Sequence, residues 1–455
     1  MANTNINKPF ASSGNVKKWT WSFWFKRSKL GTDQTISTTY LSSSYEDRFA
    51  FNGNDQIDWY SFQGGSYSNG GRLNTNRVFR DTNAWYHVVL RWDTGNSTAN
   101  DRMKIWINGV EETSFANRTN PATNRESLFN YGDNSQQWII GSTNDVHYYD
   151  GSISHMHFCD GQSYQASNFG STDSTTGEWK INTSPSITMG TNGFTILKDG
   201  ITITDQSSNS NDWSLRGGTL TKTEDCPSNV FATLNSLYGN GNYTFANGNN
   251  SLEGNNGNNW GITVPATLGA TSGKYYWEAR QVAGSHTDYN LFGFIQTDYN
   301  YTGSNLISTA YLNGIQTHTS TVTVYNGANA TTYLKAGGSN ISVSDNDIVS
   351  FALDLDNQKG WVAKNGVWSD DLSGNVGNPT TGANALWTSS VIPSGQMYAP
   401  VSIQYYDPKC QYNFGNGYFG TTAVSSAGTN ASGIGIFEYD VPANFTALST
   451  KGLNL

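Results

Sequence analysis

Trp19-Thr20-Trp21-Ser22-Phe23-Trp24-Phe25-Lys26-Arg27-Ser28 decides the fold class, because large aromatics fall on every second residue. A period of two is strand geometry, not helix geometry. Trp19, Trp21, Phe23 and Phe25 would share one face of a sheet, and Thr20, Ser22 and Trp24 the other. With each ring able to bury roughly 150–250 Å², the first face has to pack against a second sheet.

Composition carries the same reading outward. The chain has 455 residues, more than one ordinary core accommodates, which points to two or three domains. Its 15 Trp, 25 Tyr and 21 Phe favour strands, while 48 Gly with abundant Asn, Ser and Thr favour turns, so the chain reads as all-β. Charged residues make up 13% and the net charge is −9, which offers no basic surface to phosphate backbones or anionic lipid and sets nucleic acid aside as a partner. A surface rich in amides and hydroxyls suits neutral polar ligands or packing into a larger assembly. Residues 1–13 lack a basic segment followed by an apolar run, and no stretch approaches the roughly 20 apolar residues needed to cross a bilayer, so neither export nor membrane insertion is expected. Cys159, Cys226 and Cys410 lie far apart and are odd in number, which fits synthesis in a reducing cytosol better than a disulfide framework.

From Trp19 to about Leu197 strand follows strand, separated by Gly, Asn and Asp clusters. Asn108-Gly109 between Arg102–Ile107 and Val110–Glu112 is a hairpin signal, and Asp150-Gly151 and Asp160-Gly161 bracket another strand. Gln206–Asp212, Gly217-Gly218 and Cys226-Pro227 read as a connection. The expected organisation is a sandwich over 1–204, a connecting segment over 205–229 and a second sandwich over 230–455. Strands at Lys274–Arg280, Leu291–Ile295 and Asp347–Asp356, with an Asn365-Gly366 hairpin, fill the second block. Neither block contains a heptad seam, a collagen triplet or a solenoid period, so the chain has no fibre shaft of its own.

The first block resembles the concanavalin A-like, laminin-G-like sandwiches of marine phage structural proteins. The residues that carry this are Trp19–Ser22 with Lys26–Ser28, Val78–Thr82 with Ala84–His87, Ile107–Val110, and Asp150-Gly151 through His157-Phe158 to Gln162, extended by Asn168–Gly170 and Asn211–Trp213. The second block looks like a SPRY-type sandwich through Gly273–Glu278, Asp347–Asp356, Trp361 with Asn365-Gly366, and Pro400-Val401 followed by Asn413–Gly415. The Tyr439–Phe445 tail resembles the end of the same phage proteins. The resemblance implies two antiparallel β-sandwiches, a concanavalin A-like jelly roll and then a SPRY-like one, in a virion polypeptide made in the host cytoplasm.

Candidate chemistry is sparse. Glycanases on a concanavalin A-like sandwich typically carry Glu-x-Asp-x-Glu on one strand, which sets three carboxylates on one face around a glycosidic bond. No such triplet occurs: Glu46 and Asp47 are adjacent and face opposite ways, while Asp354 and Asp356 share a face without a nearby Glu and suit a turn. No enzyme is expected. His155, His157 and Cys159, at i, i+2 and i+4, are chemically zinc ligands, yet nothing elsewhere supplies a fourth, and one side of a packed strand is the simpler assignment. Laminin-G-like sandwiches often hold calcium at a rim, so the resemblance makes Asp205, Asn209, Asn211 and Asp212 the candidate calcium ligands, although an Asx-turn connection needs no ion. No other cofactor is implied.

Glycan binding needs aromatic faces beside amides and carboxylates. The candidate loops are Asp58-Trp59-Tyr60 with Tyr67, Tyr148-Tyr149, and Tyr289 with Asp298-Tyr299-Asn300-Tyr301; Trp59, Tyr60, Tyr148, Tyr149, Tyr299 and Tyr301 are their candidate ligand-binding residues. The expected function is a non-enzymatic phage virion surface protein. It would be a tail-fibre-like adhesin or tail accessory, binding host glycans or neighbouring virion subunits as a homo-oligomer; the alternative is a capsid-decorating protein of the head.

Overall fold

The computed structural model describes residues 3–132, 137–238, 243–255, 261, 263–282, 289–297, 307, 309–318, 320–327 and 329–455. Among them there are strands, turns and three-residue 3₁₀ turns, but no α-helix. Two compact units divide the chain: Met1–Lys222 with Cys226–Ser228, and Thr223–Asp225 with Asn229–Leu455.

Unit 1 contains β1 (Asn5–Lys8), β2 (Lys18–Arg27), β3 (Gln34–Ser42), β4 (Tyr45–Phe51), β5 (Gln56–Gln63), β6 (Ser66–Val78), β7 (Tyr86–Asp93), β8 (Met103–Ile107), β9 (Val110–Glu111), β10 (Phe115–Thr119), β11 (Trp138–Ile140), β12 (Gly151–Asp160), β13 (Gly170–Thr172), β14 (Trp179–Ile181), β15 (Phe194–Ile196) and β16 (Ser214–Gly217). An eight-stranded sheet runs β10-β6-β5-β4-β3-β11-β1-β16 and a six-stranded sheet runs β15-β12-β2-β7-β8-β9. The aromatic stripe is β2. Trp19, Trp21, Phe23 and Phe25 are fully buried. Their rings meet the larger sheet at centroid distances of 5.8 Å (Trp19–Trp59), 6.3 Å (Trp21–Phe49), 5.6 Å (Phe23–Phe49) and 5.2 Å (Phe25–Phe51). Two antiparallel sheets thus enclose one aromatic core, which is a β-sandwich.

The opposite side of β2 is covered as well. Trp24 stacks on His87 at 4.9 Å, and the β13–β14 hairpin lays Trp179 over the same imidazole at 5.9 Å, with Trp179 Nε1 donating to His87 Nδ1 (3.0 Å). Val89, Trp106, Cys159, Ala166 and Phe169 form a second, smaller core there. Burial drives the His87 and His157 imidazoles down to about 3, because a desolvated imidazolium has lost its hydration. A β-bulge between Ser154 and His157, with His155 at φ 47°, interrupts the strand face on which His155, His157 and Cys159 would have aligned.

The stretch 205–229 departs from a plain connection. β16 pairs with β1, and Trp213 is buried against Trp138 (5.7 Å) and Phe194 (5.0 Å), so its first half is structure of unit 1. Trp213 thus belongs to the unit whose resemblance the Asn211–Trp213 motif extends, not to a linker.

In unit 2 the strand Lys274–Val282 pairs with Ile348–Asp354 and Lys409–Asn413, and Thr446–Ala447 joins it in parallel. A second sheet is built on Asn290–Gln296, flanked by Tyr398–Gln404 and Leu312–Thr317. Trp277 lies between them, 5.3 Å from Phe351 and 6.5 Å from Phe294. Both Asn-Gly turns take left-handed φ at each residue, 48° and 82° at Asn108-Gly109 and 48° and 80° at Asn365-Gly366. Those values match the twist of the strands they join.

Candidate functional site

Alternation along β4 and β5 sends Phe49, Phe51, Ile57 and Trp59 inward, so Glu46, Arg48, Asp58, Tyr60 and Phe62 stand on the outer face of the eight-stranded sheet. Register sets them in two rows, Tyr40–Glu46–Phe62 and Thr38–Arg48–Tyr60–Arg72. Tyr67, just past the β5–β6 turn, folds over both, edge-on to Tyr60 at 5.2 Å and to Phe62 at 4.9 Å. The Arg72 guanidinium lies 4.7 Å from the Tyr67 ring centroid while donating to both oxygens of Asp58 (2.8 and 2.7 Å). Such a two-point pair fixes the guanidinium plane.

Polar cross-bracing completes the face. The Tyr60 hydroxyl donates to Glu46 Oε2 (2.8 Å) and the Thr38 hydroxyl to Oε1 (3.2 Å). Arg48 donates from Nε to Thr35 Oγ1 (2.8 Å) and from Nη2 to Asp33 Oδ1 (2.6 Å). Burial, followed by the Glu46 carboxylate, pushes the Tyr60 hydroxyl well above its ordinary range, so it stays a donor at neutral pH. The hydrogen bonds that Arg72 donates to Asp58 hold it above its usual value and therefore charged. Beside this braced centre, Tyr40 is 40% exposed, Leu41 48% and Tyr45 41% around the β3–β4 turn. Ring faces for carbon-bound hydrogens thus adjoin carboxylates and guanidinia that can exchange hydrogen bonds with hydroxyls or amides.

The residues expected from sequence meet different fates. Tyr60 belongs to this face. Trp59 does not: it is in strand β5, not a loop, and its ring is in the core, 5.8 Å from Trp19 and 6.4 Å from Trp92. Tyr148 is half-buried and its backbone bridges Thr35, at the Arg48 end of the face. Tyr149 turns inward, its hydroxyl donating to the Lys26 carbonyl (2.7 Å) and its ring stacked on Phe51 (6.4 Å). Tyr299 and Tyr301 lie outside the described residues. Tyr289 gathers with Tyr405 (5.4 Å), Tyr406 (5.8 Å) and His318 (5.3 Å) in unit 2. Asp58, expected beside Trp59 and Tyr60, does stand on this face, whereas Glu46, Arg48, Phe62 and Arg72 were not expected. The signal that could have found them is the alternation Asp58-x-Tyr60-x-Phe62, polar and aromatic on one side, against Ile57 and Trp59 on the other.

Asp205, Asn209, Asn211 and Asp212 do come together, but as a hydrogen-bonded loop. Asp205 Oδ1 accepts from the Thr195 and Ser207 backbones (2.8 and 2.9 Å), and Oδ2 accepts from Ser207 Oγ and the Asn211 backbone (2.8 and 2.9 Å). Asn209 and Asn211 use their amide nitrogens on carbonyls of residues 190–193, and Asp212 Oδ1 takes the Asp205 N–H (2.9 Å). Oxygens already directed at donors make a poor calcium cradle, so this donor set does not fit the ion. Asp354 pairs with Lys274 (2.9 Å) and accepts from the Asn357 backbone and side chain, and Asp356 accepts from Gly273 N–H (2.7 Å); both act as turn groups.

Residues 3–167 match the Laminin_G_3 family, described as the concanavalin A-like lectin/glucanases superfamily. No curated protein sequence matches the chain. Among solved structures it is similar to the SPRY domain of human HERC1, at 17% identity over 37% of this chain and 91% of that one, TM-score 0.28. It is similar to the TRIM65 PSpry domain at 12% identity over 40% and 91%, TM-score 0.28. A third similarity is to the heptameric SAP-like pentraxin from Limulus polyphemus, at 12% identity over 36% and 72%, TM-score 0.27. Likenesses this distant carry no functional inference, whereas the family match covers the larger part of unit 1 and agrees with its lectin-like sandwich.

Proposed function

We propose that this chain is a non-enzymatic binding protein of a phage virion surface, a tail-fibre-like adhesin or tail accessory that contacts host glycans or neighbouring virion subunits. The observation that carries the binding role is the outer face of the eight-stranded sheet, where Tyr40, Tyr60, Phe62 and Tyr67 adjoin the braced Glu46, Arg48, Asp58 and Arg72. A face held by cross-strand hydrogen bonds meets a ligand without reordering its side chains, and that saves the entropy such ordering costs. The virion setting is supported by the phage-like motifs of the first block and of the Tyr439–Phe445 tail. Attachment through weak single sites requires many copies, so a homo-oligomer displayed on a particle follows from the reading.

The test is a glycan array and host-cell adsorption with the purified full chain, beside Arg72→Ala and Tyr60→Phe. Saturable binding that weakens about tenfold in Arg72→Ala is expected, since a charged two-point anchor of the face is lost. Silence on glycans and cells with tight binding to empty capsids would instead establish the head-decorating alternative, which the missing fibre shaft favours.

A further inference from the structure

Unit 2 contains a cleft of about 620 Å³ lined by Trp368, Thr380, Thr429, Asp440 and Pro442, among others. Its two walls are held independently. Trp368 follows the Asn365-Gly366 turn and pairs with Ala363. Across from it, Glu278 accepts the Glu438 and Tyr439 backbone N–H groups (both 2.9 Å), which pins the segment leading into Asp440–Ala443. Thr429 then grips Asp440 twice, donating to Oδ1 from its backbone (2.7 Å) and from its hydroxyl (2.8 Å), while its carbonyl accepts from Val441 N–H (2.8 Å). Asp440 Oδ2 and the Trp368 indole N–H take no partner among the described residues.

The lining selects a chemistry. No basic side chain lines the cleft among the described residues, so nothing there answers an anionic ligand. One large ring beside one carboxylate oxygen, one indole N–H and the Thr380 hydroxyl offers a flat apolar surface with separate acceptor and donor groups around it. A pyranose has that pattern, with one face of carbon-bound hydrogens and a rim of hydroxyls. A cation of ammonium type would be better served by several rings in a cage. The hydrogen bonds from Thr429 hold the Asp440 carboxyl below its usual range, so its second oxygen is an ionised acceptor at neutral pH.

We propose that this cleft binds a neutral hexopyranose, with the Trp368 ring as its stacking surface and Asp440 Oδ2 as acceptor for a ring hydroxyl. The site is separate from the unit 1 face and stands whether or not that face binds glycan. Saturation-transfer NMR of the full chain carrying Arg72→Ala, which disables the unit 1 face, with the methyl glycosides of glucose, galactose and mannose tests it, beside the same chain with Asp440→Asn, Trp368→Ala or Trp368→Phe added. At least one glycoside should bind, with Kd raised about tenfold or more when Asp440→Asn or Trp368→Ala is added, and less with Trp368→Phe. Binding by none of the three overturns the proposal, as does binding that ignores Asp440→Asn or is displaced by choline. Should Trp368→Ala fail to fold, the exposed Asp440→Asn decides alone.

Discussion

At residue scale, Trp59 and Tyr60 are neighbours in sequence with opposite roles, one in the aromatic core and one on the outer face. The consequence is measurable. Trp59→Ala empties a ring-sized space among Trp19 and Trp92 and should cost about 3–5 kcal/mol, read as a large fall in the urea midpoint of unit 1. Tyr60→Phe removes only the hydroxyl that Glu46 accepts and should cost about 1 kcal/mol while weakening ligand binding at the face. If Tyr60→Phe proved the more destabilising of the two, the assignment of faces would be wrong. Residue by residue, the aromatic stripe, the opposed directions of Glu46 and Asp47, and the turn roles of Asp354 and Asp356 were legible because each depends on its immediate neighbours. Trp59 misled because a Trp-Tyr pair beside Asp58 looks like an exposed loop until the strand that contains it is recognised.

Among elements, the β13–β14 hairpin shows how one turn supports another. Gly109 has φ 82°, and a Cβ there would fall on the Trp179 ring. Gly109→Ala should therefore displace Trp179 from His87 and uncover the outer side of the smaller sheet. Faster proteolytic cleavage within residues 170–181 and a shifted tryptophan emission are expected, with the larger core kept. Unchanged cleavage would show that the hairpin is held by other contacts. The Asn108-Gly109 hairpin itself was readable from its dipeptide. Its contact with Trp179, seventy residues further on, was not, since nothing local records what will lie against a turn.

For the whole molecule, two units with separate cores imply separate responses to pH. In unit 1, His87 and His157 are lowered from 6.5 to about 3. The unfolded chain then binds more protons, and their contribution is present above about 6.5 and lost as pH falls toward 3. Asp47, which accepts from Ser127 Oγ and the Leu128 and Phe129 backbones, is raised by burial from 3.8 to about 6 and acts the other way. Two imidazoles with larger shifts outweigh one carboxyl. In unit 2, Glu278 is raised by burial from 4.5 to about 7 among Tyr276, Asn413, Glu438 and Tyr439, so its contribution is present below about 4.5 and lost as pH rises through 7. Calorimetry of the full chain should show two transitions; from pH 4.5 to 6.5 the unit 1 transition should rise and the unit 2 transition fall. Glu278→Gln should flatten the second. Parallel movement of both would contradict these assignments.

What the sequence by itself determined is the part that local geometry controls: strands of period two, tight turns at Asn-Gly, an aromatic core and no carboxylate triplet on one strand. Side-chain alternation and turn φ angles are properties of a few consecutive residues, so a few consecutive residues reveal them. Tertiary structure alone decided that Trp213 enters the unit 1 core, that Asp205 spends its oxygens on N–H donors, that Glu46, Tyr60 and Arg72 form one face, and that Trp368 and Asp440 share one cleft. Each joins strands or loops distant along the chain, and their meeting is set by sheet register and packing, which no short window of sequence contains.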